Sequence, residues 1–218
     1  MMKIGIGITT TPNRKHLLDE CLSAHAKYTK LDILVYNDED FKGVAYAKNQ
    51  LLKDLRHNDY IFLLDDDICP TREGWVDYVI NLHELSHQNH FLFMHPKHHK
   101  FVKTWQPSNE ISIDIYDDCS GVFMSFTKHC LDTVGYFDSR YKQYGYEHAG
   151  LSRRIHLAGL NSKPFMCPSQ LGEYLAAKDF EGNIESSISE ELKEANMQHN
   201  DDIYHDELRN WHDLYRGL

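Results

Sequence analysis

The sequence predicts an α/β fold in which a mostly parallel central sheet is flanked by helices. Three observations carry that expectation. Apolar runs of strand length alternate with helix-length segments of 3.6-residue periodicity. Such alternation implies right-handed crossovers, which place consecutive strands side by side and parallel. The 218 residues, 41% hydrophobic and 26% charged, are enough to bury one full core.

The elements follow in order. "KIGIGIT" reads as a first strand, and "NRKHLLDECLSAHAKY" as a helix with Leu17, Leu18, Cys21, Leu22 and Ala24 on one face. "LDILVYND" is a second strand ending in Asn37 and Asp38, "GVAYAKNQLLKDLRH" a second helix, and "YIFLLDDD" a third strand. "TREGWVDYVINLHELSHQ" is expected to be helical, with Thr71 as its N-cap and Trp75, Val79 and Leu82 turned inward. Residues 90–118 are less periodic and read as a strand, a loop and a short β-ribbon. "CSGVFMSFT" is strand-like, and "KHCLDTVG" is a short helix ended by Gly135. "YEHAGLSRRIHLAG" is a helix with Leu151, Ile155 and Leu157 facing in and Gly159 as its stop. From about Phe180 the chain turns polar and acidic and reads as one or two amphipathic helices, a C-terminal helical appendage. No repeat or linker divides the chain, so one domain is expected.

A formal net charge of −10 argues against a protein that holds nucleic acid or an anionic membrane through Lys/Arg clusters. The N-terminal apolar run is broken by Gly5 and Gly7 and is too short for a signal peptide or a membrane span, so a soluble, cytoplasmic protein is expected. Five cysteines without a C-x-x-C pair suit reduced thiols.

Two stretches carry chemistry. In "YIFLLDDDICP" four apolar residues run into Asp65, Asp66 and Asp67. Adjacent carboxylates at a buried strand end repel one another, so a cation is expected beside them. A D-x-D at a strand mouth supplies hard oxygen ligands to Mn²⁺ or Mg²⁺, with phosphate oxygens completing the shell. In α/β sheets ligands bind beyond the carboxyl ends of the strands, where Thr9 to Thr11, Asp38 and the three aspartates fall. The second stretch, "HELSH", matches the H-E-x-x-H zinc-protease signature with His83, Glu84 and His87. With 15 His in the chain so short a pattern arises readily by chance, and a polar helix face carrying these residues to solvent is the plainer reading. A zinc hydrolase therefore stands as an alternative function.

The segment "SGVFMSFTKHCLDTVGYFDSRYKQYGYEHAGLSRRIHLAG" resembles the acceptor half of nucleotide-sugar-dependent glycosyltransferases with the Rossmann-like GT-A fold. Ser120-Gly121, Gly135-Tyr136-Phe137-Asp138, the loop Tyr144 to His148, and Leu151 to Arg154 stand in that family's order. "ITTTPNR", "GVAYAKNQLL" with Lys48 at an Arg position, and "FLLDDDICP" resemble its N-terminal half. The resemblance spans about residues 3–165 and implies a single GT-A domain over 1–179, with a nucleotide-sugar half at 1–70 and an acceptor half at 71–179, followed by a helical extension at 180–218.

It implies a metal-dependent glycosyltransferase, hexosyl or pentosyl, using a nucleotide diphosphate sugar, with a UDP-sugar expected. The acceptor would be a saccharide or other hydroxyl compound, and modified DNA is disfavoured by the acidic composition. Thr9, Thr11 and Arg14 would line the nucleotide crevice, with Asp38 near the base or ribose. Lys48 would neutralise a phosphate unless it is an exposed helix lysine. Asp65 and Asp66 would contact the donor, and Asp65 and Asp67 would hold the metal. Gly121 would let substrate approach closely, and Trp105 would stack on acceptor. Glu147 and His148 stand where inverting members carry Glu-Asp, so either could act as base, with Glu147 also able to bind acceptor hydroxyls. This departure keeps a non-catalytic sugar-nucleotide or glycan-binding module as a further alternative. His199, His205 and His212 are candidate late metal ligands without a motif to select one.

Overall fold

The computed structural model describes residues 2–178 and 188–212. The elements run β1 (Ile4–Thr10), α1 (Lys15–Tyr28), β2 (Ile33–Asn37), α2 (Val44–Leu55), β3 (Tyr60–Asp65), β4 (Ile68–Pro70) and α3 (Trp75–Ser86). They continue as β5 (His90–Leu92), β6 (Phe101–Ser108), β7 (Ile111–Tyr116), β8 (Phe123–Thr127), α4 (Lys128–Val134), α5 (Glu147–Leu157), β9 (Met166–Pro168), β10 (Leu175–Ala177) and α6 (Glu190–Arg209).

The central sheet has the order β2-β1-β3-β8-β5. β1 is parallel to β2 and β3, as the helical crossovers α1 and α2 require, whereas β8 runs antiparallel to both β3 and β5. Four of the five strands therefore point one way. β8 is reached through a ribbon rather than a covering helix, which leaves it free to pair in the opposite sense.

β3 is buried almost throughout, with Ile61, Phe62, Leu63 and Leu64 fully covered, because it lies in the middle of the sheet with neighbours on both sides. Trp75 of α3 packs edge-on to Phe62 at 5.2 Å and to Phe123 at 6.2 Å. At the free edge, β2 leaves Leu34 and Val35 exposed.

Some expected details change. α3 starts at Trp75 behind a left-handed Gly74, and the Thr71 hydroxyl instead donates to the Glu173 carbonyl. Leu157 is 45% exposed rather than inward, since the last turn of α5 leaves the core. Two small antiparallel sheets, β4-β10 and β6-β7-β9, complete the fold, and the expected β-ribbon is the β6-β7 pair, whose Ile111, Ile113 and Ile115 are buried.

The C-terminal helix is built into the domain. Glu207 of α6 is fully buried 3.3 Å from the fully buried Arg154 of α5 and accepts from the Tyr141 hydroxyl at 2.6 Å. Asn200 is also fully buried, accepting from the Lys142 amide and donating to the carbonyls of Tyr144 and Gly145. The expected boundary at 179/180 falls outside the described residues. Among those residues no helix is long and apolar enough to cross a membrane.

Candidate active site

The strand register brings the polar strand ends level. Thr9 sits opposite both Tyr36 and Asp65, and Thr10 opposite Asn37. The Asp38 amide then donates to the Thr10 carbonyl, which closes the mouth of the sheet. A crevice of about 420 Å³ opens there, a size suited to a small-molecule ligand. Thr9, Thr10, Thr11, Arg14, Asp38, Asp65, Asp66 and Asp67 all line it. Seven of the residues singled out as nucleotide or metal contacts, Thr9, Thr11, Arg14, Asp38, Asp65, Asp66 and Asp67, are thus gathered in one cavity.

Each aspartate is held differently. Asp66 is buried, with Arg14 donating through Nε at 2.8 Å and Nη2 at 2.7 Å and the Thr10 hydroxyl donating at 2.6 Å. Burial pushes its carboxyl up, against the pull of Arg14. It therefore works as the anchor that ties the turn before α1 to the end of β3, and Arg14 is committed to it. Asp65 is 28% exposed, and its bonds from the Thr9 hydroxyl and from Lys48 both fall on Oδ1. Asp67 is 1% exposed, and Arg14 Nη2 lies 3.7 Å from it.

Two carboxylates with hard oxygens at the crevice floor fit a divalent cation. Among the described residues no cluster of three or more His, Cys, Asp or Glu side chains could hold a metal by itself.

Asp38 shapes the crevice as well as lining it. Its carboxylate accepts from the amides of Lys42 and Gly43, holding the entrance to α2. Gly43 has φ +110°, and a Cβ there would lie 2.5 Å from the Gln143 Cα, so only glycine fits the backbone this tightly against the loop opposite.

Lys48 is not an exposed helix lysine, and it is not among the residues that line the crevice. It is fully buried, its Nζ 3.0 Å from Asp65 Oδ1 and donating to the Gly121 carbonyl. It thereby links the crevice to the Cys119–Gly121 turn. Gly121 also differs from expectation. A Cβ there would come within 2.8–2.9 Å of the His148 ring, so the missing side chain makes room for an imidazole rather than for substrate.

His148 sets the character of the start of α5. Its Nδ1 lies 3.0 Å from Glu147 Oε1 and its Nε2 3.2 Å from the Cys119 carbonyl, two acceptors that can both be satisfied only by a doubly protonated ring. Burial alone would pull the imidazole down, yet the Glu147 charge and the Cys119 contacts push it well above the ordinary value of 6.5. Glu147 is likewise buried, but the charge and hydrogen bond of His148, helped by Lys48, hold it below 4.5. An imidazolium cannot accept a proton, so in this arrangement Glu147 is the better placed of the two candidate bases. Glu147 has one unused oxygen, because its buried Oε2 has no hydrogen-bond partner among the described residues.

Other expectations do not converge on the crevice. Trp105 is half-buried on the β6–β7 ribbon, opposite Ile113, and is not among the residues lining the crevice. His199, His205 and His212 are exposed. In "HELSH" the helix ends at Ser86, and His87 caps it in the left-handed region at φ 56°, out of helical register with His83. His83 itself is buried rather than exposed, with Nδ1 against the Gln88 carbonyl and Nε2 against the Ser125 hydroxyl. Both its nitrogens are spent on the core, which removes the zinc pair.

The crevice also has a wall that sequence reasoning did not assign. Gln143 and Tyr144 line it from the loop before α5, and Ile188 and Lys193 from the C-terminal region. The loop stands within "YKQYGYEH", but nothing in the amphipathic pattern of α6 singles out Lys193.

No protein-family model and no curated protein matches this sequence. Solved structures do match. The mannosyltransferase PcManGT from Pyrobaculum calidifontis, in complex with GDP-Man and Mn²⁺, aligns with TM-score 0.56 and 13% identity over 78% of this chain and 56% of its own. The catalytic domain of Drosophila β1,4-galactosyltransferase 7, in complex with xylobiose, aligns with TM-score 0.52 and 16% identity over 90% of this chain and 79% of its own. TarS from S. aureus aligns with TM-score 0.57 and 16% identity over 99% of this chain and 44% of its own. The fold is GT-A. The chain thus spans little more than half the length of the mannosyltransferase and less than half that of TarS. In this GT-A domain the crevice sits beyond the carboxyl ends of β1, β2 and β3, where α/β sheets take their ligands.

Proposed function

We propose that the protein is a glycosyltransferase that moves a hexosyl or pentosyl group from a nucleotide diphosphate sugar to a hydroxyl acceptor. The observation that carries this reading is the meeting of Asp38, Asp65, Asp66 and Asp67 with Thr9 to Thr11 and Arg14 in one crevice of nucleotide size. The GT-A fold supports it, as do the ligands of two structural neighbours, GDP-Man with Mn²⁺ in the mannosyltransferase and UDP, GalNAc and Mn²⁺ in GalNAc-T7. Asp65 and Asp67 would hold Mn²⁺ or Mg²⁺. When bound, the ion supplies positive charge where the departing diphosphate develops negative charge.

The chain's own residues do the rest. Thr9, Thr11 and Asp38 form the walls against which the nucleoside rests, and a UDP-sugar is the expected donor. The acceptor oxygen attacks the anomeric carbon, the bond from sugar to diphosphate breaks, and the hydroxyl proton passes to Glu147. Glu147 Oε2 is the oxygen for that role, while Oε1 stays on His148 Nδ1–H. A saccharide is the expected acceptor, since a net charge of −10 disfavours DNA.

A second reading, a nucleotide-sugar-binding module without turnover, is favoured by one observation. Glu147 is 3% exposed and is not among the residues lining the crevice. Prolonged incubation with UDP- and GDP-sugars and Mn²⁺, followed by ³¹P NMR, separates the two. Release of nucleotide diphosphate that Glu147→Gln slows without weakening donor binding is expected of the enzyme. Intact donor despite tight binding would leave the module.

A further inference from the structure

The carboxylates at the crevice floor raise a charge problem. Asp38, Asp65, Asp66 and Asp67 line a cavity that, on the reading above, must also take a diphosphate. A divalent ion at Asp65 and Asp67 offsets part of this charge. The remaining positive charge has to come from side chains on the crevice wall, and among the described residues that wall carries two strong cations, Arg14 and Lys193.

Arg14 is already committed. Its guanidinium makes a forked pair with the buried Asp66 carboxylate and lies beside Asp67, so turning it towards a ligand would strip a buried acid of its partner. Lys48 lies beneath the crevice, fully buried, bridging Asp65 and the Gly121 carbonyl. Lys193 is held differently. Its ion-pair partner is Glu190, three residues earlier on α6 at 2.6 Å, and that carboxylate is 81% exposed. Pairs of this kind contribute little and exchange readily with a competing anion.

The backbone that presents Lys193 is nevertheless fixed. α6 is fastened to the loop opposite by Asn196, which donates to Gln143 Oε1 at 3.0 Å, and by the buried Asn200, which bonds residues 142, 144 and 145. The Lys193 ammonium lies 5.4 Å from the centre of the Tyr144 ring, a second crevice residue. A rigid helix, an ammonium with an exchangeable partner and a neighbouring aromatic face together make one wall of the cavity.

We propose that Lys193 is a diphosphate-binding residue, exchanging Glu190 for the phosphate oxygens of a nucleoside diphosphate beside the Tyr144 ring. This assignment rests on the nucleotide reading of the crevice. It makes the C-terminal helix part of the donor site rather than a support for the acceptor loop alone.

The test is calorimetric titration of UDP, GDP, uridine and guanosine in Mn²⁺ into the wild-type chain, Lys193→Met and Lys193→Arg. Removing a charge-assisted contact to phosphate should weaken the nucleoside diphosphate about tenfold, leave the nucleoside unchanged, and be largely restored by arginine. Equal nucleoside diphosphate affinity for wild type and Lys193→Met would overturn the assignment. So would parallel losses for nucleoside and nucleotide, which would mark a merely structural role. A wild-type chain that bound neither UDP nor GDP would instead remove the nucleotide reading of the crevice, and this inference with it.

Discussion

His148 and Glu147 are paired as imidazolium and carboxylate, and their charges make a definite prediction about pH. The His148 contribution to stability is fully present below its unfolded value of 6.5 and is lost as pH rises through its raised folded value. The Glu147 contribution is present above 4.5 and is lost as pH falls through its lowered value. Both therefore act together between 4.5 and 6.5. His148→Gln should cost about 3–5 kcal/mol near pH 6, as expected for a buried pair broken on one side. Denaturant unfolding of both chains near about pH 6 and again in the alkaline range checks this, since the cost should shrink at high pH. A cost independent of pH would mean a neutral ring. Neither this pairing nor the role of Gly121 could be read from the letters, because the His148 ring fills the space above Gly121 only once the intervening chain has folded back. The aspartates could be read, since three acids at the end of an apolar strand repel one another and call for a cation beside them.

At the level of elements, α6 is the part whose role the sequence concealed. Its mean composition is polar, and three of its four buried residues are Asn196, Asn200 and Glu207, which no hydrophobic period would detect. The helix is held by what those side chains bond rather than by apolar area. Glu207→Ala should therefore destabilise the fold by about 3–5 kcal/mol, because it leaves Arg154 charged, fully buried and without its acid. Pairing it with Arg154→Met should recover part of the loss, and chemical denaturation of the single and double variants measures both. If Glu207→Ala costs no more than an exposed substitution, α6 is an appendage after all. Most strands and helices of the first 70 residues were legible because they have the burial their period implies, from Ile6 and Ile8 in β1 to Leu51, Leu52 and Leu55 in α2, while the edge strand β2 leaves Leu34 and Val35 exposed. The failure at "HELSH" has an equally local cause. The pattern assumes that the helix continues past His87, and the chain instead turns left-handed there.

For the molecule as a whole, three buried histidines set the acid limit. Burial pulls His25 and His83 down to about 4 and His90 to about 3, so all three are neutral in the fold and must gain protons when it opens. The contribution of these three should be complete above 6.5 and fall as pH drops from there towards 4, with a slope approaching roughly 4 kcal/mol per pH unit for three protons. Equilibrium unfolding across that range checks the slope, and a flat profile would contradict the neutral assignment.

At the same scale, the parallel strands β1, β2 and β3 end together at a single crevice, which the proposed transfer takes as its metal-assisted nucleotide site. The most direct test is calorimetric titration of UDP and GDP into the wild-type chain and Asp67→Ala, each with Mn²⁺ and with chelator. One nucleotide should bind the wild type in Mn²⁺, and chelator or Asp67→Ala should reduce this affinity at least about tenfold. Undiminished binding in the folded Asp67→Ala chain would contradict the metal assignment, and no binding of either nucleotide to the wild type would contradict the site.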